Sequence, residues 1–230
     1  MQVCKNSEWW EIFWMLCWSI WLGRNEWNFN GREWDDRRRI DRAVSVGVEY
    51  KHAAEGGQAH LRKGGSVITK WEAPGQDLLK LNVDAAFKKE ARVGMGAVLR
   101  DCVGDVLMAM CDLWKGECEV HVGEAMAVRQ GIKVAMEAGF LSFIIETDNT
   151  TVYHALKNKK TEASAFGLIL KDIYLLLSSC VNISYSWVRR EGNMVAHSLA
   201  KKSISMGELG VWLEDIPDDV GVFVKDDLPA

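Results

Sequence analysis

The sequence predicts an α/β fold: a mixed five-stranded sheet in the order βββαβααβα, flanked by helices, behind a helical, tryptophan-rich N-terminal extension. Three observations predict it. Residues 79–112 hold three strand-like runs separated by turn signals. Residues 122–202 change to helical periodicity, interrupted by short strand-like runs at 142–148 and 181–188. Seven of the eleven tryptophans, at 9, 10, 14, 18, 21, 27 and 34, lie in the first 34 residues, which marks that part as different in kind.

The first element is the run Ile12–Leu22 (IFWMLCWSIWL), apolar on every side but only 11 residues long. That is short of the roughly 20 residues that span a bilayer, so no membrane span is expected. Lys5, Glu8 and Glu11 precede it and Gly23-Arg24-Asn25 follow, with no small-residue cleavage site, so it does not read as an export signal and an intracellular location (nucleus or cytoplasm) is expected. A helix apolar all round is normally buried in something, and residues 40–70 look too weakly patterned to bury it. It reads as a helix that binds a protein partner or as the remnant of a longer polyprotein; a membrane-surface helix is the alternative. Residues 1–55 are assigned to this extension and 56–70, opening on GGQAHLRKGG, to a linker.

The patterned domain is assigned to 71–204. In LKLNVDAAF (79–87), Leu79, Leu81, Val83, Ala85 and Phe87 alternate with Lys80, Asn82, Asp84 and Ala86, a strand pattern. GMGAVLRD (94–101) and GDVLMAMCD (104–112), joined through Cys102-Val103-Gly104, complete an antiparallel meander. Gly94 and Gly96 read as close-packing positions within a strand. In 122–138, Ala127, Val128, Gly131, Val134, Ala135 and Ala138 form one helical stripe, which Gly139 ends. SFIIETD (142–148) is a short apolar strand of the kind covered on both faces. Thr150–Lys157 and Ala165–Ser178 read as helices, VNISYSWV (181–188) as a strand, and Asn193–Lys202 as the last helix.

The charge is uneven. The net −4 is made of +2 over residues 1–70, 0 over 71–204 and −6 over 205–230. This excludes a generic basic nucleic-acid coat, and 205–230 reads as a solvated acidic tail that repels phosphate. The six cysteines form no CxxC pair, so they read as reduced thiols and zinc is not expected.

Three acids fall where chemistry needs them. Asp84 lies within the first strand, Glu124 extends the buried stripe of its helix, and Asp148 ends the strand FIIETD at the carboxyl edge where α/β sheets place ligands. Each also has an ordinary reading: a strand-end acid, a helix-start acid favoured by the dipole, and a turn or cap residue. If they converge, buried carboxylates repel one another unless a cation neutralises them, and all-oxygen ligation favours Mg2+ or Mn2+.

On LKLNVDAAF, GMGAVLRDCVGDVL, GEAMAVRQGIKVAMEAG, IIETDNTTV and WVRREGNMVAHSLAK, the region 71–204 resembles the type-1 ribonuclease H domain, in the plant form associated with non-LTR retrotransposon reverse transcriptases. IWLGRNEWNF (20–29) is similar to what precedes that domain in such elements. The resemblance implies a ribonuclease H-like fold. It also implies a nuclease that hydrolyses the RNA strand of RNA–DNA hybrids with two divalent ions, held by Asp84, Glu124 and Asp148. A catalytically weak or inactive nucleic-acid- or protein-binding module is the alternative. In the motif N-x-x-A-[D/H] the chain has Asn193 and His197, so an imidazole stands at the fourth catalytic position and supplies no negative charge. A helix-face histidine packed under Asn193 is its ordinary reading. Ala85 stands where many relatives have glycine. The basic helical protrusion is missing, and the loop that often carries a further histidine is reduced to Arg189-Arg190-Glu191-Gly192. Nucleic-acid contact is expected from Asn149, Arg189, Arg190 and Asn193, with Lys201, Lys202 and the lysines of 157–160 as further cations.

Overall fold

The computed structural model describes residues 7–31, 33–37, 39–40, 70–89, 91–159, 161 and 163–228. Of the linker expected at 56–70, all but residue 70 lies outside the described residues. The chain divides into two units, 1–66 and 67–230.

In the first unit, helix α1 (Ser7–Asn30) is longer than the apolar run that announces it. Leu22 is buried, and Trp34 and Arg39 approach the helix at Gly23, so short downstream contacts cover one face. Phe13 (50% exposed), Ile20 (60%) and Trp27 (63%) recur every seven residues and leave an apolar stripe open. Among the described residues no helix is long and apolar enough to cross a membrane.

In the second unit, the alternating segment forms β1 (Lys80–Lys88), followed by β2 (Arg92–Arg100) and β3 (Val106–Lys115) as an antiparallel meander. Helix α2 (Val120–Glu137) buries Ala127, Val128, Ile132, Val134 and Ala135 against β1 and β2, and the chain leaves it through Gly139 at φ 94°. This crossover returns the chain as β4 (Ser142–Thr147), parallel to β1. Helix α3 (Thr150–Asn158) starts on an Asn149 side-chain cap and α4 (Ala165–Leu177) on a Ser164 cap, both satisfying free backbone N–H groups. Strand β5 (Asn182–Trp187) then adds parallel to β4. Helix α5 (Met194–Met206) ends at Gly207 with φ 79° and lies across β1, β2 and β3.

The sheet has six strands where five were expected: a last strand, β6 (Gly210–Leu213), completes the order β5-β4-β1-β2-β3-β6. The sixth comes from the segment read as a solvated tail. β6 pairs antiparallel with β3, and α6 (Asp218–Asp227) packs on α5. Its acids hid its apolar content: buried Val220 with Trp212, Phe223 and Val224 joins the core cluster of Val98, Ala109, Cys111, Val195, Ala196 and Leu199. Burying that face outweighs the repulsion among carboxylates that remain at the surface.

Candidate active site

Asp84 is 1% exposed and sits opposite Gly96 in the β1–β2 register. A Cβ on Gly96 would lie 2.3 Å from the Ala200 nitrogen and 2.4 Å from the Ala196 oxygen; one on Gly94 would lie 2.2 Å from the Ala200 oxygen. Only glycine at these positions admits α5 so close to the sheet. That approach sets the His197 ring on the acid, with Nδ1 2.6 Å from Oδ2 of Asp84.

Glu124 enters from the start of α2, 6% exposed, where Ala85 N–H donates to its Oε2 at 3.1 Å. Asp148 follows β4, its side chain 11% exposed. One carboxylate oxygen from each of Asp84, Glu124 and Asp148 lies within 4.8 Å of the others. The strand, the helix and the strand end that carry them are far apart in sequence, and the parallel β1–β4 pairing together with the α2 crossover closes the gap.

The electrostatics follow from that crowding. Burial, then the charges of Asp84 and Asp148, push Glu124 up to about 9. Burial, then Asp84, push Asp148 up to about 6, partly opposed by Arg190. Oδ1 of Asp84 is buried without a hydrogen-bond partner. An unpartnered buried carboxylate oxygen beside two further carboxylates, with oxygen donors throughout, fits a hard divalent cation. The triad of Asp84, Glu124 and Asp148 can hold such a metal ion.

Arg190 Nη2 lies 3.1 Å from Nδ1 and 3.0 Å from Nε2 of His197. A tautomer with Nδ1–H donating to Asp84 accounts for that contact, and Arg190 Nη2, nearly equidistant from the two ring nitrogens, rests against the imidazole ring. Arg190 Nη1 also stands 4.0 Å from Asp148 Oδ2, on a side chain that is 61% exposed. The histidine is therefore more than a helix-face residue under Asn193. It holds one oxygen of Asp84 and leaves the other free.

The remaining expected contacts separate. Arg189 is exposed and Asn149 half-buried, its side chain capping α3 by accepting from Val152 N–H at 3.1 Å. Asn193 was expected to face nucleic acid, but it is 1% exposed. Its side chain donates to the Val83 carbonyl at 2.9 Å and accepts from Asn82 at 3.1 Å, so it ties α5 to β1. Lys202 is engaged by Asp219 at 2.8 Å.

Sequence reasoning missed a buried polar chain beneath the acids. Lys80 Nζ pairs with Glu146 at 3.0 Å, and Asn82 donates to Glu146 at 2.8 Å. Arg100 donates to Asn82 at 3.3 Å, pairs with Asp227 of α6 at 2.7 Å and stacks 3.6 Å over the Trp71 ring. The signal was present: Lys80 and Asn82 occupy a strand that the helices bury on both faces, where polar groups must find partners.

A family model described as reverse transcriptase-like matches residues 82–203, more than half of the chain. A search of curated proteins returns no match. Among solved structures the chain is similar to RNase H1 from the halophilic archaeon Halobacterium salinarum, with TM-score 0.52 and 19% identity over 56% of this chain and 98% of that one. It is similar to the N-terminal RNase H domain of a Mycobacterium tuberculosis protein, with TM-score 0.51 and 21% identity over 56% and 94%. It is also similar to LC11-RNase H1, solved in complex with an RNA/DNA hybrid, with TM-score 0.51 and 18% identity over 56% and 98%.

Proposed function

Because this chain belongs to the reverse transcriptase-like family and carries a ribonuclease H-like fold, we propose that it is a divalent-metal-dependent endonuclease that hydrolyses the RNA strand of RNA–DNA hybrids. The observations that carry this reading are the convergence of one carboxylate oxygen each from Asp84, Glu124 and Asp148 and, on the same Asp84 carboxylate, a buried oxygen that has no hydrogen-bond partner.

In this reading Asp84, Glu124 and Asp148 hold Mg2+ or Mn2+, two ions in the full site. When bound, such ions supply a water of lowered pKa and stabilise charge on the phosphate and leaving oxygens. The protein's own groups do the rest. His197 donates from Nδ1 to Asp84 and fixes the orientation of that carboxylate. The Ala85 N–H performs the same service for Glu124. Arg190, largely exposed beside Asp148, is placed to meet a substrate phosphate, and Arg189 lies next to it in the chain. The 2′-hydroxyl distinguishes the RNA strand from the DNA strand. We assign this activity to residues 71–204. The tryptophan-rich start, with its open stripe of Phe13, Ile20 and Trp27, we read as the protein-binding part of a plant retroelement-derived sequence.

A second reading has one observation in its favour. His197 and Arg190 put an imidazole and a guanidinium where a fourth acid would add negative charge, which suits a weakened or inactive module that binds nucleic acid.

The deciding experiment incubates the purified full chain with a labelled RNA–DNA hybrid in Mg2+ and, separately, in Mn2+, with Asp84→Asn as control. Cleavage of the RNA strand, lost in the control, is the expected result. A folded protein that cuts in neither ion sinks the nuclease and leaves the binding module.

A further inference from the structure

One indole connects the acid cluster to a second feature. Trp187, at the end of edge strand β5, donates from Nε1 to the backbone carbonyl of Asp148 at 3.1 Å, yet the residue is 42% exposed. Tyr185, two residues back, shares its face of the strand. Helix α3 lies alongside β5 and contributes Thr150, Tyr153 and His154. With Ser186, these residues line an open cavity of about 460 Å3, within the usual range for sites that accept small organic ligands. Its walls include three aromatic rings and an imidazole. The Tyr153 and His154 ring centroids are 5.2 Å apart. A cation stands at one wall, where Lys157 Nζ lies 3.1 Å from the Tyr153 hydroxyl and 5.4 Å over its ring, and a second, Arg190, stands by Asp148 in the acid cluster.

We propose that this groove is a nucleobase-stacking subsite, which takes an unpaired nucleotide of the strand that runs past the acid cluster. It rests on the reading that the triad engages nucleic acid. Aromatic faces beside cations are the chemistry by which proteins hold single strands without reading sequence, since every base presents a π-face and every nucleotide a phosphate. The groove adjoins the acids through Trp187 and Asp148, and Thr150 lies two residues beyond Asp148. In this proposal the phosphate next to a base seated there meets Lys157 at the groove or Arg190 beside Asp148. Exposed aromatic rings at the end of an edge strand are otherwise a solubility cost. The hydrogen bond to Asp148 holds the indole in place without burying it.

The test uses the full chain in EDTA and reads fluorescence anisotropy of labelled RNA–DNA hybrids. One is blunt, one carries a single-stranded RNA overhang and one a DNA overhang. An overhang should tighten binding about tenfold over the blunt hybrid, and whichever overhang does so identifies the strand that enters the groove. Tyr153→Ala should bring that ratio to about one. Equal binding of all three hybrids by the wild-type chain overturns the proposal, as does an overhang preference that Tyr153→Ala leaves intact. A second measurement needs no variant. Photocrosslinking of a 5-iodouracil placed in the favoured overhang should label the peptides that contain Tyr153 or Trp187, and labelling elsewhere overturns the assignment. The two readings fail separately. Overhang-dependent binding without cleavage in Mg2+ or Mn2+ removes the nuclease and keeps the groove, whereas cleavage with no overhang preference does the reverse.

Discussion

His197 Nδ1 lies 2.6 Å from Oδ2 of Asp84, and both residues are almost wholly buried, at 6% and 1% exposure. The imidazole thus satisfies one oxygen of the carboxylate and leaves Oδ1 without a partner. It acts as an orienting group for an acid whose carboxylate gathers with those of Glu124 and Asp148. Truncating such a supporting partner typically costs about 10–100-fold in metal affinity or activity. His197→Ala should therefore lower kcat/KM for hybrid cleavage by that order, and His197→Asp, which adds negative charge, should shift the ion preference towards Mg2+. Cleavage assays in both ions check this. A variant with unaltered rate and ion preference would remove the histidine from the site.

Cation binding should appear as stability. A ligand that binds only the folded state at 100 times its Kd adds about 2.7 kcal/mol. Mn2+ should raise the melting temperature of the wild-type chain, and Asp84→Asn should abolish the rise while folding normally. Scanning calorimetry with and without the ion decides it.

The metal-free protein should lose stability as pH rises. Glu124 and Asp148 hold protons more tightly folded than unfolded, because burial and mutual repulsion raise them to about 9 and about 6. Above the ordinary carboxylate range the unfolded chain therefore binds fewer protons, and the slope of stability against pH is negative. The Asp148 part is complete near its raised value and the Glu124 part continues towards about 9. Melting temperatures in EDTA between pH 5 and 9 should fall, and Glu124→Gln should flatten the slope. A rising curve would contradict the electrostatic account.

Gly96→Ala should be costly although it adds one methyl group. The new Cβ would meet the backbone of Ala196 and Ala200, which has no flexible side chain to yield. Overpacking of this kind costs about 1–3 kcal/mol. The variant should also lower activity more than its melting temperature alone explains, because α5 carries His197. Denaturant titration alongside hybrid cleavage separates the two effects.

Asp227→Ala tests whether the acidic segment belongs to the fold. Its side chain pairs with Arg100 at 2.7 Å, with exposures of 7% and 1%. Removing one partner of a buried pair leaves the other charge uncompensated, at about 3–5 kcal/mol. A loss below 1 kcal/mol would return residues 218–227 to the status of a tail.

The alternation of Leu79–Phe87, the stripe of Ala127–Ala138 and the apolar run to Thr147 were enough to read element order, because local periodicity states which face of an element avoids water. They also named Asp84, Glu124 and Asp148, whereas His197 came only from the resemblance of Asn193–His197 to the family's N-x-x-A-[D/H] motif. Each acid lies on an element whose period is plain, and their convergence follows once the parallel β1–β4 pairing is assumed. Other features had no local signature. The sixth strand is made by Val211, Trp212 and Leu213 between acidic stretches, and only the open edge of β3 gives it something to pair with. Asn193 looks like any polar residue at a helix start. It is an internal tie because Gly94 and Gly96 let α5 settle onto β1.

By itself, then, the sequence determined the order of strands and helices between 79 and 202, the identity of the acids and the peculiarity of the first 34 residues, since periodicity and residue chemistry are carried locally. Tertiary structure alone decided that 210–227 is core-bearing and that Lys80, Asn82, Arg100, Glu146 and Asp227 form one buried network. It also decided that Arg190 rests on the His197 ring and that Tyr153 and Trp187 line one groove beside Asp148. The physical reason is common to all of these. Each depends on the distance between groups many residues apart, which is set by how closely the helices pack on the sheet.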